Sequence, residues 1–445
     1  MILKRIKIPM EKTHHTFITE GVDTSEQTLA LQKPFWVFFG GNAGIATWLM
    51  GVLVAGMGLN FLEALLLILF GSLVGSILPA LTSVMGPKTG LSQIEASRFA
   101  LGASGKKVPA FLNWINAIGW DVINNVISAT AFIVFFADYN INLPMWCALA
   151  ILVILQLVIG VYGHHLIQNT AKYTGGFLAI FFIIIGIVCS YKVDMPLASV
   201  STSDSSKLVS AFILLVAYNL GWTTCTSDYT RYLPNSTSNR TVFLVTFASL
   251  FTSLTLLAFF GYTTASAVSV HTPEGVMIAL QNLSGSFAPI VLFVIWFTAI
   301  PANAMNDNSA AYTLISLGIK LSRPTSAIFG AVLGYVISLF ASQSFVEFFE
   351  DFLFLFAHWV TPWAIVVLVH WFLNGRHSRH TPNGFTVGYF IMMIVSVISV
   401  GLFSVNPLYT GYAAQLIDDL DIGPYLGCFV AGVSYFIILK FKNNI

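Results

Sequence analysis

The sequence predicts an all-α integral membrane protein of twelve transmembrane helices, and three observations predict it. Only 9% of its 445 residues are charged and 56% are hydrophobic, whereas a water-soluble domain carries about 25% charged residues. Apolar runs near the ~20 residues needed to cross a ~30 Å hydrocarbon core recur along the whole chain. With an inner N-terminus, eighteen of the twenty Lys and Arg fall on the inner side, leaving only Lys192 and Lys207 outside. One missed or invented helix would scramble that asymmetry, so it supports the count and places both termini in the cytoplasm of a multi-pass plasma-membrane protein.

In order, the spans are expected at about 34–57, 61–84, 108–136, 143–163, 166–190, 208–230, 241–268, 287–318, 323–341, 346–373, 385–404 and 424–441. Residues 1–33 carry "LKRIK" but lack the apolar core and small-residue cleavage site of a secretory signal, and are expected as a retained cytoplasmic tail. The first span contains "FFGGNAGIATW" (38–48) and the sixth "NLGWTTCTSDYTRY" (219–232). Gly, Asn and clustered hydroxyls weaken helix, and backbone groups freed at membrane depth persist only where they line a cavity. Matched interruptions at the start of two five-span units, 34–190 and 208–373, point to a transporter's binding site, with 385–441 as two additional helices. Glycines can also serve close helix packing alone, the reading for "GSLVG" at 71–75.

The third span carries the densest polar pattern, "NWINAIGWDVINN" (113–125). Asn113, Asn116, Trp120 and Asn124 are spaced 3, 4 and 4, so they share one helix face, beside a second stripe of Asp121, Asn125 and Ser128. An indole one turn from a carboxamide suits a flat heteroaromatic ligand: the indole stacks on the ring and the amide reads its edge. The alternative is a polar helix–helix contact. The eighth span reads "FTAIPANAMNDNSAAYT" (297–313), where Pro301 frees a carbonyl and Asn303, Asn306, Asp307, Asn308 and Ser309 crowd together. Acids at membrane depth are costly, so Asp121 and Asp307 are candidate proton carriers, unless they stay paired and inert. In "TSDYTRY", Asp228 and Arg231 are placed to pair across one turn. Glu347, Glu350 and Asp351 are expected as a solvated outer cap, "DDLD" (418–421) as an outward loop, and His164 and His165 as a solvated inner pair.

Together with "GPKTGLSQIEASRFALG" (86–102), these clusters resemble the nucleobase:cation symporter-1 family, purine/cytosine permease branch, over nearly the whole chain. The resemblance implies the leucine-transporter fold, a 5+5 inverted repeat plus two trailing helices, which is the division the interruptions suggest. It implies a flat ring stacked on Trp120 and hydrogen-bonded by Asn124, a sixth-span contact at Trp222 or Asn219, and eighth-span contacts at Asn306 with Asn303 beside it. Gly40 stands where related eukaryotic permeases tend to carry serine. Sodium-coupled relatives use first-span carbonyls, here at Asn42 and Ala43, with two eighth-span hydroxyls. Those hydroxyl positions fall on Ala304 and Met305, whose side chains offer a hard cation no oxygen. Proton coupling through Asp121 or Asp307 is therefore preferred to sodium.

The expectation is a symporter of cytosine or a purine base by alternating access, with H+ or Na+ as coupling ion and no other cofactor. A hydroxymethylpyrimidine or other thiamine precursor, allantoin or a hydantoin is the alternative. A net charge of +1 without a basic stripe excludes a nucleic-acid partner. An intramembrane enzyme is disfavoured by the lack of "HExxH" and "GxSG" motifs, and a channel, which can also carry broken helices with internal acids, is a minor alternative that predicts conductance without saturable uptake. Cys147, Cys189, Cys225 and Cys428 lie singly in separate spans, without metal-ligand spacing.

Overall fold

Glycine and asparagine end a helix in the first span, as their weak helix propensity requires. In the computed structural model, which describes residues 21–162, 164–193, 204–265, 272–319, 323–374 and 381–443, helix α1 (Gln32–Asn42) stops and α2 (Ile45–Gly56) restarts at 52° to it. Thr47 donates from Oγ1 to the freed Asn42 carbonyl at 2.5 Å, and Gly44 N donates to the same oxygen at 2.8 Å. There follow α3 (Phe61–Ser83), α4 (Lys107–Ala137), α5 (Met145–Tyr162), α6 (His164–Tyr191) and α7 (Ser205–Leu220). The second break is a 3-10 turn, Gly221–Thr224, after which α8 (Thr226–Thr230) resumes. The remainder comprises α9 (Asn239–Ala265), α10 (Pro273–Ser284), α11 (Ala288–Leu317), α12 (Arg323–Ala341), α13 (Phe345–Leu373), α14 (Val387–Phe403) and α15 (Gly423–Asn443).

Among the described residues, eight helices are long and apolar enough to cross a membrane, or nine with α1 and α2 counted as one broken span. Three shorter apolar stretches, Met145–Val158, Ile328–Ala341 and Val387–Phe403, lie where the fourth, ninth and eleventh spans are expected.

Two groups of helices stand beside a third made of α13, α14 and α15. One joins α2 and α9 so closely that a Cβ added at Gly51 would sit 1.7 Å from the Ala258 oxygen, and one at Gly261 would sit 1.8 Å from the Trp48 oxygen. Small residues allow such backbone approach in membranes. This group also contains α3, packed on α7 and on α9. The other group is built on α4 and α11, joined by stacked Phe132 and Trp296 at 4.5 Å and flanked by α5 and α12.

Three polar segments outside the spans are tied into the rest of the protein. Residues 22–29 are not a free tail: Val22 N donates to Gly90 O, Leu29 N donates to Tyr232 O, and buried Gln27 donates to Pro87 O and Arg231 O. The inner connection 86–107 is folded into short helices in which Glu95 is fully buried. Lys106 Nζ at 2.6 Å and Arg98 Nη1 at 2.8 Å meet its carboxylate, and Ser316 Oγ donates to it at 2.7 Å. A buried charge is tolerable only when paired in this way. Within "DDLD", Asp418 and Asp419 are exposed but Asp421 is buried, 2.9 Å from His358 Nε2, while His358 Nδ1 lies 2.7 Å from Ser399 Oγ. That chain ties the segment before α15 to α13 and α14. The side chains of His164 and His165 lie outside the described residues, and all the cysteines are free.

Candidate functional site

The two breaks face a cavity of about 660 Å3. Its walls come from α1 and α2, one face of α4, α6 at Tyr173, Gly175 and Leu178, the second break, and α11. The predicted α4 stripe lines it in full: Asn113, Asn116, Trp120 and Asn124. The neighbouring stripe turns into the protein. Ser128 straddles the two, lining the cavity while donating to Ile295 O at 3.3 Å.

Trp120 lies edge-to-face with Tyr218 (5.5 Å), Phe352 (5.5 Å) and Phe349 (6.3 Å). The two phenylalanines belong to α13. The cavity extends from Trp120 to Lys33 and Leu29 near the start of α1 and to Tyr232 beyond α8. Of the paired sixth-span candidates, Trp222 lines the cavity and Asn219 does not. Trp222 Nε1 donates to Asn42 Oδ1 at 2.7 Å, which fixes the indole against the first break.

Asn219 is fully buried on the opposite face of α7, where counting along a broken helix could not place it. Its amide accepts from Asn42 Nδ2 at 3.1 Å and donates to Ser76 Oγ at 2.9 Å and Leu250 O at 3.3 Å; Asn42 also donates to Ser253 Oγ at 3.0 Å. One pair of amides thus joins α1, α3, α7 and α9, and Asn219 lies in that joint rather than on the cavity wall. Replacement of Asn219 by leucine is expected to lower stability by about 1–3 kcal/mol, because buried donors at Asn42 and acceptors at Ser76 lose their partner. A thermal denaturation series on purified protein checks this; an unchanged midpoint would mean that the joint adds no stability.

A second network joins α4 to α11. Asn306 Nδ2 donates to Asp121 Oδ1 at 2.9 Å, and Asn124 Nδ2 donates to Asn303 Oδ1 at 2.9 Å. Asn303 in turn donates to Asn125 Oδ1 at 3.0 Å, which also receives Gln156 Nε2 from α5 at 2.9 Å. Asn124 and Asn306 line the cavity; Asn303, Asp121 and Asp307 stand behind its wall. Asp307 lies near enough to Asp121 for their carboxyls to interact. Ala43, Ala304 and Met305 line the cavity near the first break. Gly40 also lines it, and its back is pressed on α6: a Cβ there would sit 2.2 Å from Gly175 Cα, which leaves no room for serine without movement.

Asp228 and Arg231 form no direct pair. Asp228 Oδ1 accepts the Gln93 backbone N–H at 2.8 Å, and the Arg231 guanidinium stacks on Tyr312 at 4.5 Å and Tyr232 at 5.0 Å. The turn fails to pair them because each side chain finds a partner on another element. Gln156, Ser76, Ser253 and Glu95 were not among the sequence candidates. The signal for Gln156 is its place as the lone amide in "ILVILQLVIG".

The sequence profile of a family described as "Permease for cytosine/purines, uracil, thiamine, allantoin" matches residues 22–392. The chain belongs to this family. Among relatives of this permease, YxlA of Bacillus subtilis (strain 168) is 26% identical over 427 residues, covering 91% of this chain and 92% of that one. The purine-cytosine permease FCY2 of Saccharomyces cerevisiae is 25% identical over 457 residues, covering 95% and 84%. The permease shares its fold with Mhp1, a nucleobase-cation-symport-1 family transporter. The TM-score is 0.77 to its inward-facing form, at 15% identity and 96% and 93% coverage. It is 0.74 to a closed form with bromovinylhydantoin bound, at 16% identity and 95% and 94% coverage. The matched span contains both breaks, the α4 stripe and the α11 amides.

Proposed function

We propose that this permease is a secondary-active symporter that imports a nucleobase, cytosine or a purine, across the plasma membrane. The observation that carries the reading is the placement of Trp120, Asn124 and Asn306 on one cavity between two broken helices. An indole face offers stacking to a planar ring, and the two amides are within reach of its edge. Twelve spans with both termini cytoplasmic, arranged as repeats 34–190 and 208–373 plus the pair 385–441, accommodate this site at mid-membrane. The two packing groups supply the moving parts: the stapled bundle of α1, α2, α3, α7, α8 and α9 rocks against the α4–α11 pair. The reach of the cavity to the start of α1, with α13 packed edge-on against Trp120, supports an inward-open arrangement.

For coupling, a proton is preferred to sodium. Asp121 touches Asn306 directly, so protonation there changes the partner of a group that faces the ligand. A carboxylate can only accept from the Asn306 amide, whereas a protonated acid can also donate to it. A pyrimidine thiamine precursor, allantoin or a hydantoin remains the second reading, favoured by the family's own description and by the ligand of Mhp1. The test is uptake of radiolabelled cytosine and adenine by proteoliposomes under an imposed pH gradient or an imposed sodium gradient. Saturable, pH-driven accumulation supports the proposal; accumulation that needs sodium and ignores pH sinks the proton assignment, and saturable uptake of hydantoin or allantoin alone sinks the nucleobase.

A further inference from the structure

We infer that Gln156, acting through Asn125 and Asn303, fixes which end of the Asn124 amide faces the cavity and so makes the site select amino-substituted rings over their oxo analogues. The inference rests on the reading of this cavity as a nucleobase site. A carboxamide has a donor end and an acceptor end of nearly the same shape, and its neighbours decide which way it points. Here the neighbours form a directed chain. Gln156 Nε2 donates to Asn125 Oδ1 at 2.9 Å, and Asn303 Nδ2 donates to that same oxygen at 3.0 Å. The backbone oxygen of Asp121, which can only accept, lies 3.5 Å from Asn303 Nδ2 and favours the same orientation. The Asn303 oxygen is then left to receive Asn124 Nδ2 at 2.9 Å. Both amide ends of Asn303 are thereby committed, and Asn124 is left with an unpaired carbonyl on the cavity.

Asn306 reaches the same polarity independently, since its NH2 is directed at Asp121 Oδ1. Asn116 donates from Nδ2 to Asn113 Oδ1 at 3.4 Å, but its own oxygen is buried away from the cavity. Asn124 and Asn306 therefore present the acceptors where a ring edge would lie. An exocyclic amine placed against the Asn124 carbonyl satisfies it; an oxo group in the same place leaves two acceptors facing each other, and the ring N–H that the oxo base gains lies at the neighbouring ring atom. Gln156 touches no ligand and is a positioning residue, on a helix one layer behind the wall.

The experiment uses full-length protein in detergent and competition against labelled cytosine by uracil, and against labelled adenine by hypoxanthine. Wild type is expected to prefer the amino base of each pair by roughly tenfold or more. In Gln156→Glu the terminal carboxylate has no donor to give, so Asn125 turns its NH2 outward, Asn303 and Asn124 follow, and the preference falls by about tenfold, toward parity or inversion. Asn125→Asp keeps an acceptor at the junction and should keep the preference ratio, which a mere packing role would not distinguish from Gln156→Glu. Should the glutamate variant fail to fold, Gln156→Leu removes the donor without adding charge, and its preference should fall several-fold. An unchanged ratio in a folded Gln156 variant, or a wild type that prefers the oxo bases, overturns the inference and leaves the nucleobase reading standing. A folded wild type that binds none of the four bases overturns the nucleobase reading, and the inference with it.

Discussion

Replacing Trp120 with alanine is expected to weaken nucleobase binding about 5- to 150-fold, the equivalent of roughly 1–3 kcal/mol for a lost base–aromatic stack. The indole lines the cavity between the two breaks, and its face matches the area of a purine or pyrimidine. It also packs edge-on against Phe349 and Phe352 of α13, contacts that the substitution removes. Trp120→Phe retains an aromatic face and should recover most of the loss. Equilibrium binding of labelled base to the purified variants decides the matter: an affinity within twofold of wild type in Trp120→Ala would mean that the ring sits elsewhere.

Asp121→Asn is expected to separate binding from accumulation. One proton carried per base allows a tenfold concentration ratio for each pH unit imposed, because 1.4 kcal/mol corresponds to a factor of ten. The asparagine cannot take up and release that proton, so the variant should bring labelled base only to equal concentrations on the two sides while still exchanging it. Binding should change far less than in Trp120→Ala, because asparagine can still offer the Asn306 amide an oxygen at the 2.9 Å contact. A variant that still concentrates base under a pH gradient would move the coupling role away from Asp121, with Asp307→Asn as the next comparison.

The helices and the polar α4 face were legible in the sequence because both follow from local rules. Span length comes from the thickness of hydrocarbon, and the Asn113–Asn124 stripe comes from the helical repeat alone. The breaks were equally local, since Gly40, Gly41 and Gly44 around Asn42 weaken helix wherever they occur. What could not be read was pairing between distant segments. Asn219 carries the residue type of a ligand contact, and only the rotation of α7 turns it toward Ser76 and Asn42. Asp228 and Arg231 are three residues apart, yet their partners, Gln93 and Tyr312, lie on other segments. Glu95 looked like part of a polar loop because its neutralising Lys106 is eleven positions along and its Ser316 partner two hundred and twenty-one.

The α4–α11 zipper also has a consequence for how the chain is made. Asn124 and Asn303 are 179 positions apart, and Asn306 and Asp121 are 185. At about 5–20 residues per second of synthesis, α4 is threaded into the bilayer roughly 10–35 s before its partner leaves the ribosome. During that interval the Asp121 carboxyl and the Asn124 amide wait for their α11 partners, although Gln156 of α5 reaches Asn125 after only 31 residues. Biogenesis, more than the finished fold, is where this helix is exposed, and a chain stalled before Ala288 would present quality control with Asp121 and Asn124 lacking those partners.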